Sequence, residues 1–131
     1  MTQHTVLLYS DDPEVRDRMR MAIGSRPAAD LSVKFVDAST YAEVVKLVDD
    51  TEVDLLVLDG EATPGGGLGI ARQLKDEIYR CPPLLVLTGR VQDNWLATWS
   101  RADGVVSHPL DPIELAETVI RLLRSRVPAQ T

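Results

Sequence analysis

The chain has 131 residues, of which 44% are hydrophobic, 26% charged and 5% aromatic, and its formal net charge is -6. That acidic balance argues against a nucleic-acid-binding surface, which needs a basic patch, and the single cysteine, Cys81, excludes an internal disulfide framework or a Cys-rich zinc site. No apolar run approaches the roughly 20 residues of a membrane span and no signal-like segment opens the chain, so a soluble cytoplasmic protein is expected.

A first strand-like run covers Thr5 to Tyr9 and is followed by the acidic pair Asp11 and Asp12. Asp12 before Pro13 has the form of an N-cap with proline at the first helical position. Val15, Met19, Ala22 and Ile23 would share one face of that helix, and Gly24 would stop it. Leu31 to Val36 reads as a second strand. Thr40 and Glu43 then make a capping box for a helix carrying Val44, Val45 and Val48. The third strand-like run, Asp54 to Leu58, ends on Asp59 and is almost purely aliphatic, as expected of a strand covered on both faces.

Gly65-Gly66-Gly67 follows. It lacks the Lys-Ser/Thr of a phosphate loop and the spacing of a dinucleotide fingerprint, so it reads as a flexible turn. Leu68, Ala71, Leu74 and Ile78 stripe a third helix, and Leu84 to Leu87 form a fourth strand that leads into Thr88-Gly89. Asp93 would cap a fourth helix holding Trp95, Leu96 and Trp99, too many bulky groups for one buried face, so one tryptophan is expected to be exposed. Gly104 to Val106 is the fifth strand, followed by His108-Pro109. Asp111, Pro112 and Glu114 open the last helix, along which Ile113, Ala116, Ile120, Leu123 and Val127 recur at helical spacing. Arg121, Arg124 and Arg126 suit its C-terminal end.

Five strands alternating with five helices imply an α/β fold with a parallel sheet, right-handed crossovers and helices on both faces. The expected architecture is flavodoxin-like (βα)5 with strand order 2-1-3-4-5, in one domain over residues 1–131 with its core at about 5–127. In that order the first and third strands are neighbours. Asp11, Asp12 and Asp59 then meet at the C-terminal edge, where three carboxylates repel one another unless a cation sits among them.

An acidic pair after strand one, a lone Asp after strand three, Thr-Gly after strand four and a residue followed by Pro after strand five together resemble the receiver domain of two-component response regulators. The resemblance covers Val6 to about Val127 and implies a signalling module rather than an enzyme. It makes Asp59 the phosphoacceptor. Asp12, assisted by Asp11, would bind magnesium, with Asp59 itself and the backbone carbonyl of Glu61 completing the set. Thr88 would hydrogen-bond the phosphoryl group, and Gly67-Leu68 falls where the family has its Gly-Leu. The implied partners are a sensor histidine kinase or phosphotransferase and an unknown target protein, with no nucleic acid and no membrane insertion, for a monomer or weak homodimer. The chain is expected to stand alone, its output supplied by that partner.

Three departures mark the receiver as atypical. His108 stands in place of the family's lysine, Val105 occupies the place of the aromatic switch residue, and the proline after the phosphoacceptor is displaced to Thr63-Pro64. Trp95, Trp99 and Val105 would lie on the face that receivers commonly use for partners. Two versions of the function follow, a phosphorylated relay module and a phosphorylation-independent interaction module. Asp59-Gly60-Glu61-Ala62-Thr63 also has the look of a haloacid-dehalogenase nucleophile loop, but that family's acidic pair follows its nucleophile. A flavin or nucleotide binder would need a phosphate loop where Asp11 and Asp12 stand.

Overall fold

The computed structural model describes residues 2–59, 72–76, 81–88, 102–107 and 111–125. Five parallel strands form one sheet, β1 (Thr2–Tyr9), β2 (Leu31–Ala38), β3 (Leu55–Asp59), β4 (Leu84–Thr88) and β5 (Gly104–Ser107). Their order is β2-β1-β3-β4-β5, the flavodoxin-like arrangement that the alternation implies. Helices α1 (Pro13–Ile23), α2 (Tyr41–Asp50), α3 (72–76) and α4 (Pro112–Ser125) accompany it. Among the described residues no helix is long and apolar enough to cross a membrane.

The two faces of the sheet carry separate cores because successive side chains of a strand point to opposite sides. Val6 and Leu8 of β1, Leu55 and Val57 of β3, and Leu85 and Leu87 of β4 pack with Met19 and Ile23 of α1 and with Leu115, Val119, Leu122 and Leu123 of α4. Leu7 and Tyr9, Leu56 and Leu58, and Leu84 and Val86 face the other way, toward Val44 of α2 and Leu74 of α3. Every residue of β3 and β4 is buried, which explains why their sequences lack the polar alternation of a half-exposed strand. Each fully buried leucine there contributes about 1.5–3 kcal/mol of transfer free energy.

The caps follow the chemistry of their residues. Asp12 accepts from the Glu14 N–H at 2.9 Å and opens α1, and Gly24, at φ 75, closes it with an N–H to the Arg20 carbonyl. Arg20 also grips Asp37 of β2 with both terminal guanidinium nitrogens, Nη1 and Nη2, at 2.9 and 2.7 Å. Thr40 accepts from the Glu43 N–H at 3.2 Å, but Glu43 reaches one residue further back than a standard capping box. Its Oε1 takes the Ser39 N–H at 3.0 Å and the Ser39 hydroxyl at 2.7 Å. These hydrogen bonds hold the Glu43 carboxyl below its usual range.

One expectation needs correction. Of the stripe predicted on the last helix, Leu123 is buried and Ala116 and Ile120 are half-buried, but Ile113 is not part of the buried face. Ile113 is 70% exposed, whereas Leu115, Val119, Leu122 and Leu123 are buried. Aliphatic residues spread around much of this helix, and packing against α1 and the sheet chooses the row. Gly104 lets α4 approach so closely that an added Cβ would lie 3.1 Å from Leu122 Cδ1. Leu68, Ala71 and Ile78 of the third predicted helix, the Trp95–Trp99 helix and Val127 fall outside the described residues.

Candidate functional site

The site lies at the C-terminal edge of the sheet, where β1, β3 and β4 finish. Pairing of Tyr9 with Leu58 puts the next residues of the two strands, Ser10 and Asp59, abreast. Both are buried, Asp59 being only 4% exposed. The Ser10 hydroxyl donates to Asp59 Oδ2 at 2.9 Å and accepts the backbone N–H of Asp12 at 3.0 Å. Thr88 closes β4 on the other side of β3 and is 1% exposed, with the Asp59–Leu87 pairing setting it one position further along.

Asp11 and Asp12 follow Ser10 at the exposed mouth. They differ in what they do. One oxygen of Asp12 is committed to the cap of α1. Asp11 instead bears on Tyr9, whose phenol is pushed above 10.0 first by burial, then by the charge of Asp11, then by that of Asp59. One hydroxyl therefore feels the first acidic residue after β1 and the last residue of β3, which puts two of the three predicted carboxylates in a common electrostatic field.

Among the described residues no group of three or more His, Cys, Asp or Glu side chains is gathered as a metal cage. What is present is Asp11 and Asp12 at the exposed mouth with Asp59 buried behind them, oxygen donors of the kind that suit a hard cation retaining much of its water. Val105 sits half-buried in β5, opposite Val86. Glu61, His108, Trp95 and Trp99 lie outside the described residues.

Ser10 and Tyr9 are the two residues that the sequence pattern left unmarked. Tyr9 ends an aliphatic run and looks like core, which it also is. Ser10 stands between that run and the acidic pair, and a single serine before a helix cap is ordinary loop chemistry. The signal that picks it out is the β1–β3 register, which periodicity along one chain does not contain.

No protein-family model matches the chain. Over 121 residues it is 52% identical to an uncharacterized response regulatory protein of Mycobacterium tuberculosis, covering 92% of this chain and 91% of that one. It is 25% identical over 134 residues to the phosphate regulon transcriptional regulatory protein PhoB of Pseudomonas aeruginosa, a match that spans 100% of this chain and 56% of that protein. Among solved structures, the receiver domain of Francisella response regulator 1452 superposes with a TM-score of 0.77 at 17% identity, covering 92% of this chain and 97% of that one.

Proposed function

We propose, for a chain that belongs to the response regulator receiver family of two-component systems, that it is a phosphoacceptor module in which Asp59 takes the phosphoryl group and the signal leaves by protein–protein contact. The observation that carries this reading is the placement of Asp59. Its carboxylate is buried at the end of a central strand, held by a hydroxyl, beside a second carboxylate acting on the same tyrosine.

A carboxylate oxygen so placed attacks phosphorus as the donor's leaving group departs with the bonding electrons. Asp11, Asp12 and Asp59, with the backbone carbonyl of Glu61, would hold magnesium, which neutralises the charge of the incoming group when bound. Thr88, at the end of the adjacent strand, would donate its hydroxyl to a phosphoryl oxygen, and His108 would stand in for the family's lysine. The histidine is shorter and, with a reference pKa of about 6.5, only partly charged near neutrality. The donor would be a histidine kinase or phosphotransferase, and the partner surface would include Trp95, Trp99 and Val105.

His108 and Val105 favour a second reading, an interaction module that works without phosphate. A single experiment separates the two. The protein is incubated with magnesium and a small phosphodonor and followed by intact mass, with beryllium fluoride as a mimic. The phosphoacceptor reading expects a gain of one phosphoryl group that disappears in Asp59→Asn. Absence of both mass gain and mimic binding would sink it and leave the interaction module. His108→Lys in the same assay is expected to raise the response.

A further inference from the structure

We propose that Ser10 is a positioning residue for Asp59, a hydroxyl that sets how readily the carboxylate is phosphorylated and how long the phosphoryl group stays. The inference rests on the phosphoacceptor reading above and concerns a residue to which neither the acidic pattern nor the resemblance assigns a role.

Hydrogen-bond bookkeeping fixes the direction of the Ser10 hydroxyl. The backbone N–H of Asp12 can only donate, and it occupies an acceptor site on Ser10 Oγ at 3.0 Å. An ionised Asp59 can only accept, so the single hydroxyl proton of Ser10 lies on the 2.9 Å contact to Oδ2. The arrangement is buried at both ends, Ser10 being 0% and Asp59 4% exposed, so solvent does not readily substitute for either partner. It also spans 49 residues of sequence and joins the end of β3 to the residue that caps α1.

Two consequences follow for the chemistry at Asp59. The bond to Oδ2 holds the carboxylate plane in one orientation. It is also charge-assisted while Asp59 is ionised and becomes an ordinary neutral bond once the group is an acyl phosphate. Ser10 thus favours the free carboxylate over the phosphorylated one. On the way in, an Asp59 oxygen forms its bond to phosphorus while the donor's leaving group departs with its electron pair. On the way out, water oxygen bonds to phosphorus, the pair of the broken P–O bond returns to Asp59, and the water's proton leaves with phosphate or solvent. Ser10 exchanges no proton in either direction, and it stabilises the carboxylate that is consumed in the first step and regenerated in the second.

The test compares wild type, Ser10→Ala and Ser10→Thr in the full chain with magnesium and a small phosphodonor, following mass gain and then its decay after donor removal. Ser10→Ala is expected to reach a higher phosphorylated fraction at limiting donor and to lose it about three- to tenfold more slowly, the difference between a charged and a neutral hydrogen bond. Ser10→Thr, which keeps the hydroxyl, is expected to restore wild-type decay, and Ser10→Cys, whose S–H is a weak donor, is expected to behave like Ser10→Ala should the added methyl of Thr disturb folding. A second readout is independent of rates. The acyl carbonyl stretch of isotope-labelled phosphorylated Asp59 should move to higher frequency when Ser10 is replaced by Ala.

Equal lifetimes and an unmoved carbonyl band in wild type and Ser10→Ala would overturn the role of Ser10 while leaving the phosphoacceptor reading intact. No mass gain in wild type or any variant would overturn both. A gain in Ser10→Ala alone would support the inference in its strongest form, with Ser10 holding Asp59 out of reaction.

Discussion

Both edges of the sheet carry aspartates, and they are held by opposite means. At the edge where strands begin, Asp54 Oδ2 accepts the Thr5 backbone N–H at 2.8 Å, with His4 Nδ1 3.9 Å from the same oxygen. Asp103 Oδ2 likewise accepts the Leu84 backbone N–H and the Lys75 ammonium, both at 2.8 Å. These carboxylates tie the starts of β3 and β5 to their neighbouring strands, with His4 or Lys75 alongside. At the edge where strands finish, Asp59 is held by the neutral hydroxyl of Ser10, and its charge adds to that of Asp11 at Tyr9. The same side chain is thus a staple at one end of the sheet and a charged site at the other. The difference lies in the partners described for each: backbone N–H groups with Lys75 or His4 alongside at one edge, the Ser10 hydroxyl and a second carboxylate at the other.

The largest expected contrast comes from removing one carboxylate at each edge. Asp59→Asn should abolish phosphoryl mass gain while shifting urea stability by no more than about 1 kcal/mol, since Asn still accepts from Ser10. Asp103→Ala should do the reverse. It strands a buried backbone N–H and costs about 1–3 kcal/mol in urea unfolding, with the labelling of Asp59 unchanged. If Asp103→Ala alters labelling as strongly as it alters stability, the division between the edges fails.

Tyr9 reports the finishing edge at smaller amplitude. Its phenol is raised above 10.0 by burial and by Asp11 and Asp59, so the folded state binds that proton more tightly than the unfolded chain does. The corresponding stability is complete below 10.0 and is lost as pH rises through the higher folded value. Tyr9→Phe should therefore flatten the alkaline fall in melting temperature. Asp11→Asn should move the Tyr9 phenolate absorbance titration back toward 10.0, and Asp103→Ala should leave it in place.

The smallest effects concern two exposed carboxylates, one at each edge. Glu43 is held below 4.5 chiefly by the Ser39 hydroxyl and N–H, and Asp30 below 3.8 chiefly by the Arg124 guanidinium, 2.7 Å from its Oδ1. Both contributions are present above those ordinary values and are lost as pH falls through the lowered folded ones. Glu43→Gln and Asp30→Asn should each shallow the acid limb of melting temperature against pH slightly. Added salt should weaken the Asp30 part and spare that of Glu43, whose partners are neutral.

Much of this molecule was legible along the chain because the signals are local. Asp12-Pro13, Thr40 with Glu43 and Gly24 act on groups within one helical turn, and the aliphatic runs of β3 and β4 report burial on two faces directly. Alternation of strands and helices then restricts the sheet order to very few solutions, and the expected one occurs. The last helix shows where local signals stop. Its apolar residues cover several rows, and only packing against α1 and the sheet, with Gly104 admitting Leu122 closely, selects Leu115, Val119 and Leu122 over Ile113. The site divides along the same line. Asp11, Asp12, Asp59 and Thr88 can be found as polar residues closing apolar runs. That Ser10 lies against Asp59, and that Tyr9 feels Asp11 and Asp59 together, depends on the register between strands some fifty residues apart, and a hydrogen bond needs ångström placement that no sequence period encodes.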